Sequence, residues 1–288
     1  MSLGKLNIVV IYVEYDHEKY PDSFEHLRSY LVKLDDRRIK YLRVNNKDEG
    51  NGTKDLGGNV TYLQGDNVDR EFSGWQRGIG FLRDHELPCD VVLFANEAFE
   101  AIGPSYLKNR NPKWLILKSH ALRAVIGLVD TGWEKTRLHG KGTRVWMNTN
   151  SFFVPGSLLS KLRTLVTVDD ESLTEFLPEH FPSQGLVFKQ TAPMNDAYKD
   201  RMMEWLTKEW HNKIDLNERT WSIFRSKVKA ILNEASLAIR IRELGYVMLP
   251  YSIPLFVLRK IRGAYRRARK ILLRSRQDSA RDTVITEY

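Results

Sequence analysis

Apolar and polar positions alternate along the chain in blocks that change period. Leu6 to Val13 is an unbroken apolar run rich in β-branched residues, which predicts a strand covered on both faces. Pro21-Asp22-Ser23 then opens a helical pattern with Phe24, Leu27, Leu31 and Leu34 on one side. Ile39 to Val44 predicts a second strand, closed by Asn45-Asn46, and the polar, Gly-containing stretch Lys47 to Gly58 predicts a loop. Val60 to Leu63 predicts a third strand, Ser73 to His85 a helix and Val91 to Ala95 a fourth strand. Strands alternating with helices predict an α/β fold, a mostly parallel sheet flanked by helices on both faces.

The middle of the chain is less regular. Trp114 to Lys118 fits a strand, and Ala121 to Val129 fits a strand or a helix. Arg144 to Val154 suits a strand or hairpin, Gly156 to Leu165 a helix and Asp169 to Phe181 another. Asp196 to Trp210 and Arg219 to Leu244 are long helical patterns. Gly245 suits the left-handed cap of the second, and Tyr246 to Tyr251 a last strand ended by Pro250.

Composition narrows the class. The 288 residues suit one generous domain or a domain with an appendage, and 42% hydrophobic with 11% aromatic residues is enough for a core. The single Cys89 excludes an intrachain disulfide and a zinc–cysteine cluster, and fits a reducing compartment. The N-terminal sequence has no signal-peptide layout, and no apolar stretch reaches the length of a transmembrane helix.

Charge is concentrated. Nine Lys and Arg lie between Arg259 and Arg276 with no acid among them, against a net charge of +9 for the whole chain. A distributed nucleic-acid-binding surface is therefore disfavoured, and no nucleic-acid partner is expected. Leu255, Leu258, Ile261, Tyr265, Ala268 and Leu272 recur at helical spacing among these cations. Residues 255–276 thus predict a basic amphipathic helix suited to an anionic membrane surface. A helix packed on the chain's own core or on a second subunit is the alternative. The expected organisation is a domain over 1–250, the membrane-associating helix over 251–276 and a flexible tail over 277–288.

The polar residues at the ends of the predicted strands carry the candidate chemistry. In a sheet flanked by helices, small ligands bind outside the carboxyl ends of the strands. The fourth strand ends there in Asn96-Glu97. Upstream lies Asp69-Arg70-Glu71-Phe72-Ser73-Gly74-Trp75-Gln76-Arg77-Gly78. Far downstream, Asn233-Glu234-Ala235-Ser236-Leu237-Ala238-Ile239-Arg240 is followed by Gly245-Tyr246. With Val44-Asn45-Asn46, this series resembles the GT-A glycosyltransferases, in particular family 2 of that fold, over residues 6 to 250. Asn96-Glu97 stands where that family has Asp-x-Asp, Asn233-Glu234 where it has Glu-Asp, and Asn45 where it has a base-recognising Asp. The Gln-x-x-Arg-Trp signature of processive synthases is absent.

The resemblance implies transfer of one sugar from a nucleotide-diphosphate sugar to a saccharide or lipid-linked saccharide, with inversion, in bacterial surface glycan synthesis. The expected place is cytoplasmic, peripheral on the inner face of the cell membrane. Glu234 is then the catalytic base. Tyr12, Asn45, Asp69, Arg70, Asn96 and Glu97 meet the donor, and Asn148, Asn150 and Trp75 the acceptor. Glu97 is the metal-ligand candidate for Mg²⁺ or Mn²⁺. The residues also admit plainer readings: a surface Glu234 beside an N-capping Asn, a helix start after Asn96, a surface ion pair at Arg70, a core Trp75 and turn-forming asparagines. The alternative function is a catalytically inactive GT-A-like scaffold.

Overall fold

The computed structural model describes residues 6–15, 18–32, 34, 38–49, 52–101, 107, 110–130, 135–143, 145–182, 186–210 and 212–252. The expected basic helix over 255–276 and the tail over 277–288 lie outside them. Residues 1–251 make one compact unit. No helix among the described residues is long and apolar enough to cross a membrane.

The frame is an α/β sheet of eight strands: β1 (Ile8–Glu14), β2 (Ile39–Glu49), β3 (Thr53–Gly57), β4 (Val60–Gly65), β5 (Val91–Asn96), β6 (Ala124–Asp130), β9 (Trp146–Pro155) and β10 (Val247–Pro250). Their spatial order is β10-β6-β9-β5-β1-β2-β4-β3. The small hairpin β7 (Arg137–Leu138) and β8 (Lys141–Gly142) stands apart. The pairs β1–β2, β1–β5, β2–β4 and β6–β10 are parallel; β9 runs antiparallel to both β5 and β6, and β3 antiparallel to β4. Every residue of β1 is buried, as its unbroken apolar run requires.

Helices cover both faces. Val9, Ile11 and Val13 of β1 share a core with α2 (Glu71–Asp84), whose Phe72, Trp75, Ile79 and Leu82 point inward. Leu237 and Ile241 of the last helix, α7 (Trp221–Glu243), reach the same core. Ile8, Val10 and Tyr12 face the other way, onto α1 (Ser23–Leu31) and α3 (Pro112–Leu122). A third cluster lies beyond α7, where its Phe224, Val228, Leu232 and Ala235 meet α5 (Asp170–Leu173) and α6 (Asp196–Glu204). Helix α7 is therefore apolar on two sides. The remaining helix is the short α4 (Gly156–Leu159).

Close approach of α2 to β1 depends on Gly78. A Cβ there would lie 2.4 Å from Cγ2 of Ile11. Gly78→Ala is expected to push α2 off the sheet and lower stability by about 1–3 kcal/mol, measured as the denaturation midpoint. An unchanged midpoint would mean that α2 does not need this contact distance.

Several local expectations are corrected. Trp114 to Lys118 is part of helix α3, begun by Asn111, whose side chain accepts from the Lys113 N–H, with Pro112 in the first turn. The predicted loop from Lys47 to Gly58 instead contains the end of β2 and all of β3, whose five residues are exposed. The helices predicted over Gly156 to Leu165 and Asp169 to Phe181 shrink to α4 and α5, four residues each. The Asp196 helix passes into a π-helical turn at Trp205–Glu209. Gly245 has the expected left-handed conformation, φ +79°.

Candidate functional site

The carboxyl ends of β1, β2, β4, β5 and β6 lie along one edge of the sheet, and β9 begins there because it runs the other way. This edge gathers Glu14, Asn45, Asn96, Asp130 and the segment Trp146–Asn150. Opposite Gly127–Val129, β9 shifts register: Gly127 pairs with Phe152 but Val129 with Met147. Met147 and Phe152, of opposite parity, consequently share one core. In a regular strand they would face opposite ways. The shift falls around Thr149, whose side chain is directed toward α2 and α7.

Thr149 is the centre of the site. Its buried hydroxyl lies 2.5 Å from Glu234 Oε1 and 3.1 Å from Glu71 Oε1. A hydroxyl carries one proton, so both contacts are hydrogen bonds when one of the carboxyls is itself protonated. Glu234 is that group: its pKa is pushed up to about 8, first by burial, with the nearby Glu71 and Asp130 acting the same way. The Thr149 hydrogen bond and Lys227 oppose the rise. Two carboxyls flanking one hydroxyl can store a proton and pass it on. Lys227 also feels Arg70, Glu71, Glu234 and Lys19, and its pKa falls to about 8, chiefly through burial and next through Arg70.

The strand β5 joins the same site. Asn96 Nδ2 donates to the Thr149 carbonyl at 3.4 Å, and Asn96 Oδ1 accepts from the Ala98 N–H. Asn96 and Glu234, far apart in sequence, thus meet through the two polar groups of Thr149. Glu97 turns aside: its Oε2 accepts from the Tyr15 N–H at 2.8 Å, and its carbonyl accepts from the Ser23 hydroxyl.

Arg70, at the start of α2, has φ +56°, a left-handed conformation that is strained for a residue with a side chain. Its carbonyl accepts from Asn46 Nδ2 at 2.7 Å and from the Ser73 hydroxyl, while its Nε donates to the Ser226 hydroxyl of α7 at 2.9 Å. Asp69 is buried and ion-paired to Lys229 at 2.8 Å. Burial raises its pKa while the Lys229 contact opposes the rise. Lys229 Nζ also donates to the Val68 carbonyl and to Asp170. The Asp69-Arg70 turn is thereby fixed to α7. A cavity of 460 Å³ opens beside it, lined in part by Val68, Trp221, Arg225, Ser226 and Lys229.

Other predicted residues serve the fold. Trp75, expected to stack on an acceptor, is fully buried. Its Nε1 donates to the Ala95 carbonyl, and Phe72, Phe94 and Phe152 surround the ring. No ring face is left for a ligand. Tyr12, expected at the donor, is likewise buried, its ring against Phe24, and burial raises its pKa. Asn233 is fully buried and clamps the chain at Thr167-Val168, accepting from both N–H groups and donating to the Val168 carbonyl. Asn45 Oδ1 accepts from the Lys47 N–H, and Asn148 Oδ1 from the Asn150 N–H. These two contacts are local turns. Asn148 and Asn150 are half-buried at the same strand end as Thr149.

No group of three or more His, Cys, Asp or Glu side chains that could hold a metal occurs among the described residues. The candidate ligand Glu97 is engaged with the Tyr15 N–H.

Sequence reading missed Glu71, Thr149 and Lys227. Glu71 lies inside the motif that drew attention to Asp69 and Arg70. Lys227 and Glu234 are seven residues apart, close to two helical turns, which places them on one face of α7.

No protein-family model matches the chain, and no curated relative does. Among solved structures, the mannosyltransferase PcManGT from Pyrobaculum calidifontis, in complex with GDP-Man and Mn²⁺, shares 10% identity over 91% of this chain and 81% of that one, with a TM-score of 0.32. TarS of S. aureus shares 10% over 82% and 73%, TM-score 0.30. The galactosyltransferase LgtC, with donor and acceptor sugar analogs, shares 11% over 84% and 72%, TM-score 0.29. The match to an active-site mutant of LgtC spans 59% of that chain. With overlays this loose, a functional reading has to stand on the chain's own side chains.

Proposed function

We propose that the chain is a GT-A-like glycosyltransferase that moves a single sugar from a nucleotide-diphosphate donor to a saccharide or lipid-linked saccharide. The observation that carries this reading is the meeting of Glu234 and Glu71 across the Thr149 hydroxyl, at the sheet edge and beside Arg70 and Lys227. An acceptor hydroxyl attacks the anomeric carbon, and its proton passes to the Glu234 carboxylate. The bond from that carbon to the diphosphate oxygen breaks, and its electron pair leaves with the nucleoside diphosphate. Direct displacement inverts the anomeric centre. Arg70 pairs with the departing phosphate charge. Asn96 and Asn45 face the donor, Asn148 and Asn150 the acceptor. The working place is the inner face of a bacterial cell membrane, reached through residues 255–276, during surface glycan synthesis.

Incubation with a panel of nucleotide sugars and saccharide acceptors, with and without Mn²⁺, tests the proposal. Release of nucleoside diphosphate from at least one donor is expected. The arms with and without the metal decide whether Glu97 shares a cation with the diphosphate. Absence of release, together with no thermal stabilisation by any donor, would favour the second reading, an inactive GT-A-like scaffold. That reading draws on Asn96-Glu97, which stands where the family has Asp-x-Asp.

A further inference from the structure

Arg70 and Lys19 bring two further cations near Lys227. Lys227 is half-buried, with its Nζ 4.4 Å from the centre of the Trp210 ring. Arg70, also half-buried, reaches Ser226, the residue next to Lys227. Lys19 lies within electrostatic range of Lys227. Like charges brought together away from bulk water repel, and the repulsion grows as the local dielectric falls. Among the described residues, Glu71 and Glu234 act on Lys227 from the acidic side, and Glu234 keeps its proton to about pH 8. The arrangement is nonetheless enforced: Arg70 is held in a left-handed backbone conformation by Asn46 and Ser73, and Lys227 is seated on Trp210. Such a cluster has a physical rationale if an anion completes it. No group of three or more His, Cys, Asp or Glu side chains that could hold a cation occurs among the described residues.

Building on the transferase reading, we propose that Lys227 and Arg70, with Lys19 nearby, form a diphosphate-binding set. This set takes the charge of a nucleoside diphosphate without a divalent cation. The groups facing Lys227 are Arg70 and Glu71 from the start of α2, Glu234 from α7, Lys19 from the loop before α1, and the Trp210 ring. Because Lys227 titrates near 8, an arriving diphosphate draws a proton onto it when the solution is above that pH.

Isothermal titration of the full chain with inorganic pyrophosphate, UDP and GDP, in EDTA and again in Mn²⁺, tests this set. Pyrophosphate is expected to bind in EDTA. Lys227→Met, which keeps the apolar stem, should weaken that binding at least tenfold with an unchanged far-ultraviolet circular dichroism spectrum, and Lys227→Arg should restore most of it. At pH 8.5 the wild type should take up a proton on binding, seen as a heat that depends on the buffer's ionisation enthalpy, and Lys227→Met should not. Binding that appears only with Mn²⁺, no binding in either condition, or equal affinity in Lys227→Met would overturn the proposal. Turnover of a nucleotide sugar that requires Mn²⁺ would leave the transferase reading standing and this one refuted. Pyrophosphate binding in EDTA with no donor turned over would do the reverse.

Discussion

Glu234→Gln is expected to melt above the wild type while losing transfer, two opposite effects from one atom. The stability effect follows from proton linkage. The folded chain holds the Glu234 proton to about pH 8, whereas the ordinary value of 4.5 applies when unfolded. Between those values the folded state binds more protons, so this group's contribution to stability falls as pH rises from about 4.5 to about 8. Glutamine keeps a donor near Thr149 and has no proton to lose. The charged groups around it are Glu71, Asp130 and Lys227. Each tenfold change in proton affinity is worth about 1.4 kcal/mol, so the variant should gain a few kcal/mol by pH 8. For a domain of this size that is roughly 5 °C or more, with a gap that shrinks toward pH 5. Transfer, by contrast, should fall by about 10²–10⁴, the range for a lost general base. Calorimetric melts at several pH values and a nucleotide-release assay read the two effects separately. A variant that melts lower than the wild type at pH 8 would show that the Glu234 carboxyl stabilises the fold.

Lys229→Met should have the largest effect on stability. The Lys229 ammonium is buried and makes three contacts, with Asp69, Asp170 and the Val68 carbonyl. Its removal leaves Asp69 buried without a counter-charge, whereas Asp170, 70% exposed, returns to water. Breaking a buried pair from one side lowers stability by about 3–5 kcal/mol. Adding Asp69→Leu to Lys229→Met should recover much of the loss, since an apolar pair of similar volume is often as stable as the ions. Urea denaturation of the single and double variants checks this. A single variant within about 1 kcal/mol of the wild type would show that water or relaxation already solvates Asp69. Because this contact pins the Asp69-Arg70 turn to α7, the single variant should also lose diphosphate affinity.

Much of the fold was legible wherever burial imposes a period. The continuous run of β1, the helical spacing of α2 and the long helical pattern of α7 follow from the cores they pack against. Where burial is absent the pattern fails. All of β3 is exposed, so a polar edge strand looked like a loop. The apolar Trp114–Leu117 run resembled a strand, although Asn111-Pro112 ahead of it was a helix start. At the site, Asn96 could be singled out by its place at a strand end and Glu234 by the resemblance of Asn233-Glu234 to the family's Glu-Asp pair. Their partners could not, because Thr149 reaches them through a register shift in β9, a product of tertiary packing. Burial also took Trp75 and Tyr12 out of the ligand set, a distinction that aromatic character alone does not make.

The most direct test is the pH dependence of kcat for nucleotide-sugar turnover at saturating donor, where a bound diphosphate keeps Lys227 charged. The rate should climb with pH and level off near 8 as Glu234 ionises, and the climb should vanish in Glu234→Gln. A rate that is flat from pH 6 to 9, or a variant that matches the wild type across that range, would contradict the account.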